Sequence, residues 1–319
     1  MLLGAALLLL VAQTLRISIP LALAASGGSV CERSGVINIA LEGMLLLGAF
    51  GYVLGAHAAS VALGVGEDVT GTAHLLVALA GLAGAIVGGL FLAAIHALVT
   101  VVFKADQVVS GVALNLLAAG LSKFLLKLVF DSSSNSAPVA GLPGLPLLSS
   151  LPTVGSALGA PLLWITALVV AFAHVALFRA VWGLRVRAVG EHPGAAEAAG
   201  IDVTRVRVSA VLLSGVLAAL GGAWLAADQR QFTEGMSAGR GYIALAAVVF
   251  GKWRPTWAAA ACVLFAVVEA LQIQLQGTSV PLPTQILQVL PHLVALGVLA
   301  GAVGAARPPA ALGKTWPER

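Results

Sequence analysis

Residues 73–102, AHLLVALAGLAGAIVGGLFLAAIHALVTVV, contain two histidines but no Asp, Glu, Lys or Arg. A helix crosses about 30 Å of hydrocarbon with roughly 20 apolar residues, so this run is long enough to span a membrane. Further apolar runs cover 1–30, 36–56, 107–130, 160–180, 206–227, 240–250, 256–276 and 284–305. They lack the period-two alternation of a transmembrane barrel. The sequence therefore predicts an all-α, polytopic transmembrane helical bundle with about 8–10 membrane segments.

Composition supports this fold class. The chain of 319 residues is 60% hydrophobic and 9% charged, whereas about a quarter of the residues of a globular protein are charged. Most Lys and Arg residues lie at the ends of apolar runs, so the net charge of +4 indicates membrane orientation and membrane lipids as neighbours, not a nucleic-acid partner. Cys31 and Cys262 are far apart in apolar settings and are expected to be free thiols. The N-terminal run lacks a preceding cation and predicts a retained first helix.

Positive charge predicts the orientation. The longest polar interruption is 182–207, WGLRVRAVGEHPGAAEAAGIDVTRVR; with this segment inside, the loops 57–72 and 131–159, which lack Lys and Arg, fall outside. Only Arg230 and Arg240 contradict the pattern. We expect a transmembrane domain over 1–306, with 131–159 as its external loop, and a cytoplasmic C-terminal tail over 307–319. The external loop is either a passive linker or a landing surface for an extracellular partner.

The polar segment 182–207 contains signals for one short helix. Pro193 suits a first helical position and Gly200 a left-handed terminating position, which leaves about two turns between them. The segment is either a docking element for a water-soluble partner or a solvated loop.

Two apolar segments are typical of broken helices. Residues 240–250 are too few for a straight crossing, and the run 1–30 contains Arg16 and Pro20. The triplet Ile39–Leu41 recurs as Ile243–Leu245, which makes an inverted repeat a hypothesis. Small residues four apart predict close helix packing: Gly51/Gly55, Gly84/Gly88 and Gly297/Gly301.

Polar side chains within apolar runs are expensive to bury and often mark transport pathways. Each of them has two interpretations: it lines a pathway, or it makes an interhelical bond that only holds the bundle together. Asn38 and Glu42 share one face if their segment is helical. The pathway candidates are Asn38, Glu42, Gln107, Ser110 and Asn115, with Glu269 and Gln272 on the eighth run. Lys123 and Lys127 share a helical face near an outer end and are expected to snorkel.

Enzymatic motifs are scarce. The six histidines lack metal-ligand spacing, so a metal site is not expected. Residues 313–315 resemble the end of a phosphate-binding loop, but Pro308 stands where its first glycine belongs, so ATP binding to this chain is not expected either. An ion-driven secondary transporter with essential carboxylates at Glu42 and Glu269 remains an alternative. An intramembrane enzyme is a weaker alternative, because the sequence does not offer a nucleophile and a general base that can be assigned to one site.

Five blocks carry a family resemblance: SGVINIALEGMLLLGAF (34–50), ADQVVSGVALNLLA (105–118), LRVRAVGEHPGAAEAAGI (184–201), LLSGVLAALGGAW (212–224) and SAGRGYIALAAVVFGKW (237–253). They resemble the membrane-permease subunits of bacterial ABC importers for nucleosides and simple sugars, a group that also holds ribose-type and branched-chain amino-acid-type permeases. The combination is most similar to the second permease of purine-nucleoside importers. His192 and Asp106 depart from the pattern, since Asn is more usual at both positions.

The resemblance implies a division of labour in the bacterial cytoplasmic membrane. A basic-membrane-protein-type binding lipoprotein delivers the substrate outside, two homologous permeases form the pathway as a heterodimer, and ABC ATPase subunits bind ATP and Mg²⁺ in place of this chain. The segment 182–207 then carries a coupling helix that contacts the ATPase. The positions that match the coupling motif are Arg187, Ala188, Gly190, Glu191, Pro193, Ala196, Glu197, Ala199 and Gly200. The implied cargo is a purine nucleoside; a simple sugar or a riboflavin-like molecule is the alternative.

Overall fold

The computed structural model describes residues 2–151, 153–276, 293, 297 and 307–317. These residues form α-helices joined by turns, with a five-residue π-helical segment at Leu98–Val102 that continues the third helix. The α-helices in chain order are α1 (Leu2–Arg33), α2 (Leu41–Leu63), α3 (Gly71–Ala97), α4 (Gln107–Phe130), α5 (Pro146–Ser149), α6 (Gly155–Leu158), α7 (Pro161–Arg179), α8 (Val181–Glu191), α9 (Pro193–Ala198), α10 (Val203–Gln229), α11 (Arg240–Phe250) and α12 (Pro255–Gln276).

The predicted fold class is confirmed. Seven of the described helices are long and apolar enough to cross a membrane: α1, α2, α3 with its π-helical end, α4, α7, α10 and α12. Helix α11 has 11 residues, which at 1.5 Å per residue cover about half of a 30 Å hydrocarbon core, as the shortness of 240–250 predicted. The last predicted run, 284–305, lies outside the described residues except for positions 293 and 297.

The expected interruption of the first helix is wrong. Helix α1 continues through Pro20, although proline has no N–H to donate to the carbonyl of Arg16, four residues earlier. The indole Nε1 of Trp224 on α10 donates to that carbonyl oxygen at 3.0 Å and replaces the missing bond. A neighbouring helix has satisfied the freed backbone group, as membrane helices require. The chain instead leaves the helical conformation after Arg33, and residues 34–40, termed the polar break below, connect α1 to α2.

Glycines bring the central helices together. Helix α10 is the most buried of the spanning helices, and it packs against α1, α2 and α3. Gly51 of α2 and Gly84 of α3 lie so close that a Cβ on either would clash with the carbonyl oxygen of the other. Gly55 and Gly88 continue the contact, so the predicted role of these two pairs is confirmed. The pair Gly297/Gly301 lies outside the described residues apart from Gly297.

The connections gather at two opposite ends, in the alternation that the sequence predicted. At one end the described residues of 131–159 form a layer that includes α5 and α6, and Val139 N donates to Arg230 O at 2.8 Å. The two arginines that contradicted the charge pattern are both paired: Arg230 with Asp68 at 3.6 Å and Arg240 with Glu269 at 2.7 Å. Pairing with a carboxylate lowers the energetic cost of a cation at the end of the bundle where the positive-inside rule does not expect one.

Lys123 and Lys127 also pair near this end, with Glu234 and Asp131 at 2.8 and 2.7 Å. The opposite end, termed the basic end, contains the end of α1, the segment 182–207, the turn 251–254 and the described tail 307–317.

Candidate functional site

The short helix predicted between Pro193 and Gly200 is present as α9. Pro193 is its first residue, and Gly200 follows it at φ +81°, a conformation that glycine adopts without a steric penalty. The surrounding segment differs from the predicted loop, because α8 precedes α9 and α10 begins at Val203. The loop interpretation overlooked that Val186 and Val189 bury one face of α8, while Leu184 and Arg185 on it are exposed.

Helix α8 is fixed against the end of α1. A Cβ at Gly190 would clash with the carbonyl oxygen of Arg33, so only glycine permits this approach. The carboxylate of Glu191 lies 3.9 Å from the Arg33 guanidinium. Val189, Ala196 and Val203 then form a small buried cluster that joins α8, α9 and the start of α10. Helix α9 is thereby packed, through α8, onto the end of α1.

The nine residues matched to the coupling motif divide into two sets. Those that contact the protein's own interior are buried or half-buried: Arg187, Ala188, Gly190, Pro193 and Ala196. Those available to a partner are exposed: Glu191, Glu197, Ala199 and Gly200. Arg187 belongs to the first set because its guanidinium lies 5.3 Å from the centre of the Phe178 ring on α7.

The C-terminal tail packs on the same unit, which sequence reasoning missed. Ala311 N donates to the carbonyl of Gly190 at 2.9 Å, and the indole of Trp316 donates to Glu197 Oε2 at 3.2 Å. Arg207, buried at the start of α10, donates to the carbonyls of Ser34 and Lys314 at 3.2 and 2.9 Å. A tryptophan in an otherwise small and polar tail was the available signal. The tail, α8, α9 and the start of α10, termed the coupling unit, form one packed body.

The predicted pathway residues surround the polar break. Unwound backbone inside a bundle needs partners for its N–H and C=O groups. Gln107 Oε1 accepts from Ile37 N at 2.7 Å, and Asn115 Nδ2 donates to Ile39 O at 3.0 Å. His96, which sequence reasoning did not select, contacts the Ile37 carbonyl through Nε2 at 3.1 Å. These side chains replace the missing helical hydrogen bonds of the break.

Glu42 joins α2 to the N-terminus of α11. Its two carboxylate oxygens accept from the backbone N–H groups of Gly239 and Gly241, at 2.8 and 2.7 Å. The first N–H groups of a helix lack intrahelical partners and carry partial positive charge, so a carboxylate is well suited to this position. Glu269, the other carboxylate considered, is paired with Arg240.

Asn38 and Glu42 were expected to share one helix face if their segment was helical. Asn38 instead lies in the polar break, and Glu42 lies in the first turn of α2, so the two do not share a helix face. Asn38 is fully buried and donates to Ser214 Oγ at 3.0 Å, while its own Oδ1 is buried without a partner. Ser110 Oγ bonds His96 Nδ1 at 3.0 Å. Asn38, Gln107 and Ser110 therefore act within the protein interior.

A second group faces outward. Tyr242 on α11 is 47% exposed, and its hydroxyl accepts from Asn115 Nδ2 at 3.0 Å. Glu42 and Ile39 beside it are half-buried. This surface, termed the α2–α11 face, presents an aromatic ring and a carboxylate at one place, with the buried Asn115 amide behind them. Tyr242 was not selected from sequence, although a hydroxyl-bearing aromatic in a short apolar segment could have signalled it.

Comparison with known proteins identifies the family. Residues 10–303 match the model described as branched-chain amino acid transport system / permease component. The chain belongs to this family of permeases. The permease is 37% identical to the guanosine ABC transporter permease protein NupQ of Bacillus subtilis, over 96% of this chain and 95% of that protein. It is also 37% identical to the nucleoside ABC transporter permease protein NupC of Lactococcus lactis, over 97% and 96%. The glucose ABC transporter permease protein TsgB13 of Haloferax volcanii is 30% identical, over 74% and 62%.

The permease is thus the membrane component of an ABC importer, not an enzyme, as the resemblance implied. It is a multi-pass protein of the inner membrane. As a transport component of this class it functions with an ATPase, so the interpretation as an ion-driven secondary transporter is not supported. Among the described residues, no group of three or more His, Cys, Asp or Glu side chains could hold a metal ion. Both cysteines are buried and unpaired.

Proposed function

We propose that this permease translocates a nucleoside, with purine nucleosides favoured, through an importer that it forms with other subunits. The observation that carries the cargo is 37% identity, over nearly the whole chain, to relatives named for guanosine and nucleoside transport. A second homologous permease completes the pathway, an extracytoplasmic binding lipoprotein delivers the nucleoside, and ATP and Mg²⁺ bind to the ATPase subunit.

The ATPase contacts the exposed surface of α9. Glu197, Ala199 and Gly200 are exposed and follow one another around the end of this helix. The segment 182–207 would face the cytoplasm because it lies at the basic end. When ATP binding draws the ATPase subunits together, α9 moves with them. The contact between Gly190 and Arg33 passes that movement to α1 and the adjoining polar break. A bias of a few kcal/mol between two access states is sufficient for such a transition.

The α2–α11 face lines the substrate pathway, at the interface with the second permease. The half-buried carboxylate of Glu42 can accept hydrogen bonds from ribose hydroxyls or base N–H groups, and the exposed ring of Tyr242 can stack on a purine. Asn115 is buried behind them, where its amide holds the backbone of Ile39 and Gly43. Asn38, Gln107 and Ser110 hold the polar break behind this face through their own hydrogen bonds. The assignment follows the general rule that transport sites form where helices are broken.

ATP-driven uptake into proteoliposomes that contain the complete importer tests the coupling role. Glu197→Lys reverses the exposed charge, and Gly200→Val forces a β-branched residue to φ +81°. Both should abolish guanosine uptake and weaken ATPase binding, while the helix content of the permease is unchanged. Glu197→Gln is the matched control for the tail, because its amide oxygen can still accept the Trp316 hydrogen bond. Normal uptake by both disruptive variants would refute the coupling role.

The same proteoliposomes test the cargo. Guanosine should be taken up with ATP, and an excess of unlabelled purine nucleoside should compete, whereas glucose and riboflavin should not. The glucose-transporting relative makes a sugar the second candidate. Uptake of glucose without uptake of guanosine would replace the nucleoside assignment and leave the importer assignment intact.

A further inference from the structure

A cavity of about 650 Å³ opens at the basic end, between the end of α1, the turn from α11 to α12 and the start of the tail. Among the described residues that line it, every charged one is basic: Arg33, Lys252, Arg254 and Arg307. Trp257, at the first turn of α12, forms its apolar edge. The cavity is separate from the α2–α11 face and from the exposed surface of α9.

The positive charge in this cavity is poorly neutralised. Within the described part of the chain, Lys252, Arg254 and Arg307 make no ion pair, and Arg33 has only Glu191 at 3.9 Å. Like charges gathered in a recess with partial burial repel one another more strongly than in open water. A bound anion would offset that repulsion.

A ring of arginines reinforces the charge. The guanidinium groups of Arg33, Arg187 and Arg254 all lie between 5.3 and 5.8 Å from the centre of the Phe178 ring at the end of α7. Cation–π attraction holds them there but leaves their charges uncancelled. Arg33 and Arg254 of this cluster also line the cavity, so their charges add directly to that of the lining.

The turn that presents Lys252 and Arg254 is rigid. Lys252 and Trp253 both adopt left-handed conformations, at φ +51° and +55°, which are costly for residues other than glycine. Arg33 stabilises them by donating from Nε and one terminal nitrogen to the carbonyls of Trp253 and Lys252, both at 3.1 Å. The Trp253 indole also donates to the carboxylate of Glu32. The surrounding contacts thus impose a conformation that directs the Lys252 and Arg254 side chains to the surface.

The surface beside the cavity is apolar and exposed. Trp257 is 63% exposed, and Leu264, two turns further along the same face of α12, is 42% exposed. Tryptophan at a helix end is typical of the membrane–water interface. The occupant must therefore combine an anionic head that fits a basic recess with an apolar body that lies along membrane-spanning helices.

We propose that this cavity binds the phosphate diester headgroup of an anionic phospholipid, with the acyl chains against Trp257 and the exposed face of α12. Basic pockets between spanning helices at the cytoplasmic side are suited to such headgroups, and each Lys or Arg near the surface contributes about 1 kcal/mol of attraction. An acidic protein surface would satisfy the charge but would not explain the apolar flank. The lipid would brace the junction of α1, α7 and α12, next to the coupling unit.

Native mass spectrometry of the full chain in nonionic detergent tests the proposal with phosphatidylglycerol and phosphatidylcholine as probes. Phosphatidylglycerol should bind preferentially. The double variant Lys252→Gln/Arg254→Gln should weaken its binding about 30-fold, as expected for two cations. The control Lys123→Gln/Lys127→Gln removes two exposed cations near the opposite end and should leave binding unchanged. Equal binding of the two lipids, or equal losses in both double variants, would overturn the site.

A second measurement distinguishes a lipid from a free anion or a protein. In nanodiscs, phosphatidylglycerol with brominated chains should quench tryptophan fluorescence more than brominated phosphatidylcholine, and Trp257→Phe should remove that difference. Displacement of the lipid by inorganic phosphate at equal concentration, with no such quenching, would assign the cavity to a free anion. If the Lys252/Arg254 variant loses ATPase-subunit binding and keeps its lipid preference, the cavity is a protein interface and the proposal is wrong.

Discussion

Replacing Glu42 by alanine should release the N-terminus of α11. The carboxylate accepts two backbone hydrogen bonds, from Gly239 and Gly241, at 2.8 and 2.7 Å. Gly241 approaches so closely that a Cβ there would clash with the backbone of Glu42, so α2 and α11 are in direct contact at this point. Helix α11 would then begin with unsatisfied N–H groups inside the bundle.

The structure sets the size of the effect. A hydrogen bond to a charged group contributes about 1.5–3 kcal/mol. If the two amides exchange through local opening, each should exchange about 10- to 150-fold faster in Glu42→Ala, since 1.4 kcal/mol corresponds to a factor of ten. Glu42→Gln keeps one carbonyl oxygen as an acceptor and should show a smaller increase.

Hydrogen–deuterium exchange with mass spectrometry, on peptides that cover 237–245, measures this change in nonionic detergent. Glu67→Ala is the matched control, because Glu67 is an exposed carboxylate in the loop between α2 and α3. If exchange in 237–245 is the same in Glu42→Ala as in the parent chain, the carboxylate does not hold α11, and our account of how α2 and α11 are joined is wrong.

Three further predictions address the packing of the basic end and the membrane region. Gly190→Ala should separate α8 from the Arg33 carbonyl and reduce ATP-driven uptake several-fold, whereas Gly120→Ala, where a Cβ meets nothing within 4 Å, should leave uptake unchanged. Trp316→Ala should remove the hydrogen bond from the tail to α9 and raise amide exchange in α9 by about 2- to 10-fold, the equivalent of a typical hydrogen bond; unchanged exchange would contradict a bracing role for the tail. The side chains of the Arg240–Glu269 pair are each 21% exposed, so replacing either residue alone by leucine should lower the free energy of unfolding by about 1–3 kcal/mol. In thermal unfolding, the variant with both replacements should lose less stability than the two single variants added together.

The features predicted correctly depend on short stretches of chain. The spanning runs are visible because hydrocarbon forces apolar residues into helices whose hydrogen bonds are internal. Helix α9 was found because Pro193 and Gly200 act on their own backbone angles. The grouping of the connections at two ends followed from the distribution of Lys and Arg, which orients each helix in turn.

The features missed depend on partners distant in sequence. Pro20 predicted a broken helix, and only Trp224, from another helix, restores the bond that the proline removes. Gln107 and Asn115, near the start of α4, were identified from the sequence as polar residues of interest. Their partners in the polar break could not be identified, because seventy or more residues separate each side chain from the backbone group that it satisfies. The docking of the tail on α9 carried no periodic or capping signal at all.

The sequence by itself determined that this protein is a bundle of membrane-spanning helices with a short capped helix at its basic end, since these properties follow from the solvent and from local backbone preference. Only the tertiary structure decided what the polar residues do. It divided them into those that satisfy the polar break, Glu42 beside the exposed Tyr242, and those that surround the basic cavity. The physical reason is that a buried donor or acceptor must find a partner in space, and that choice depends on how helices pack and not on neighbours along the chain.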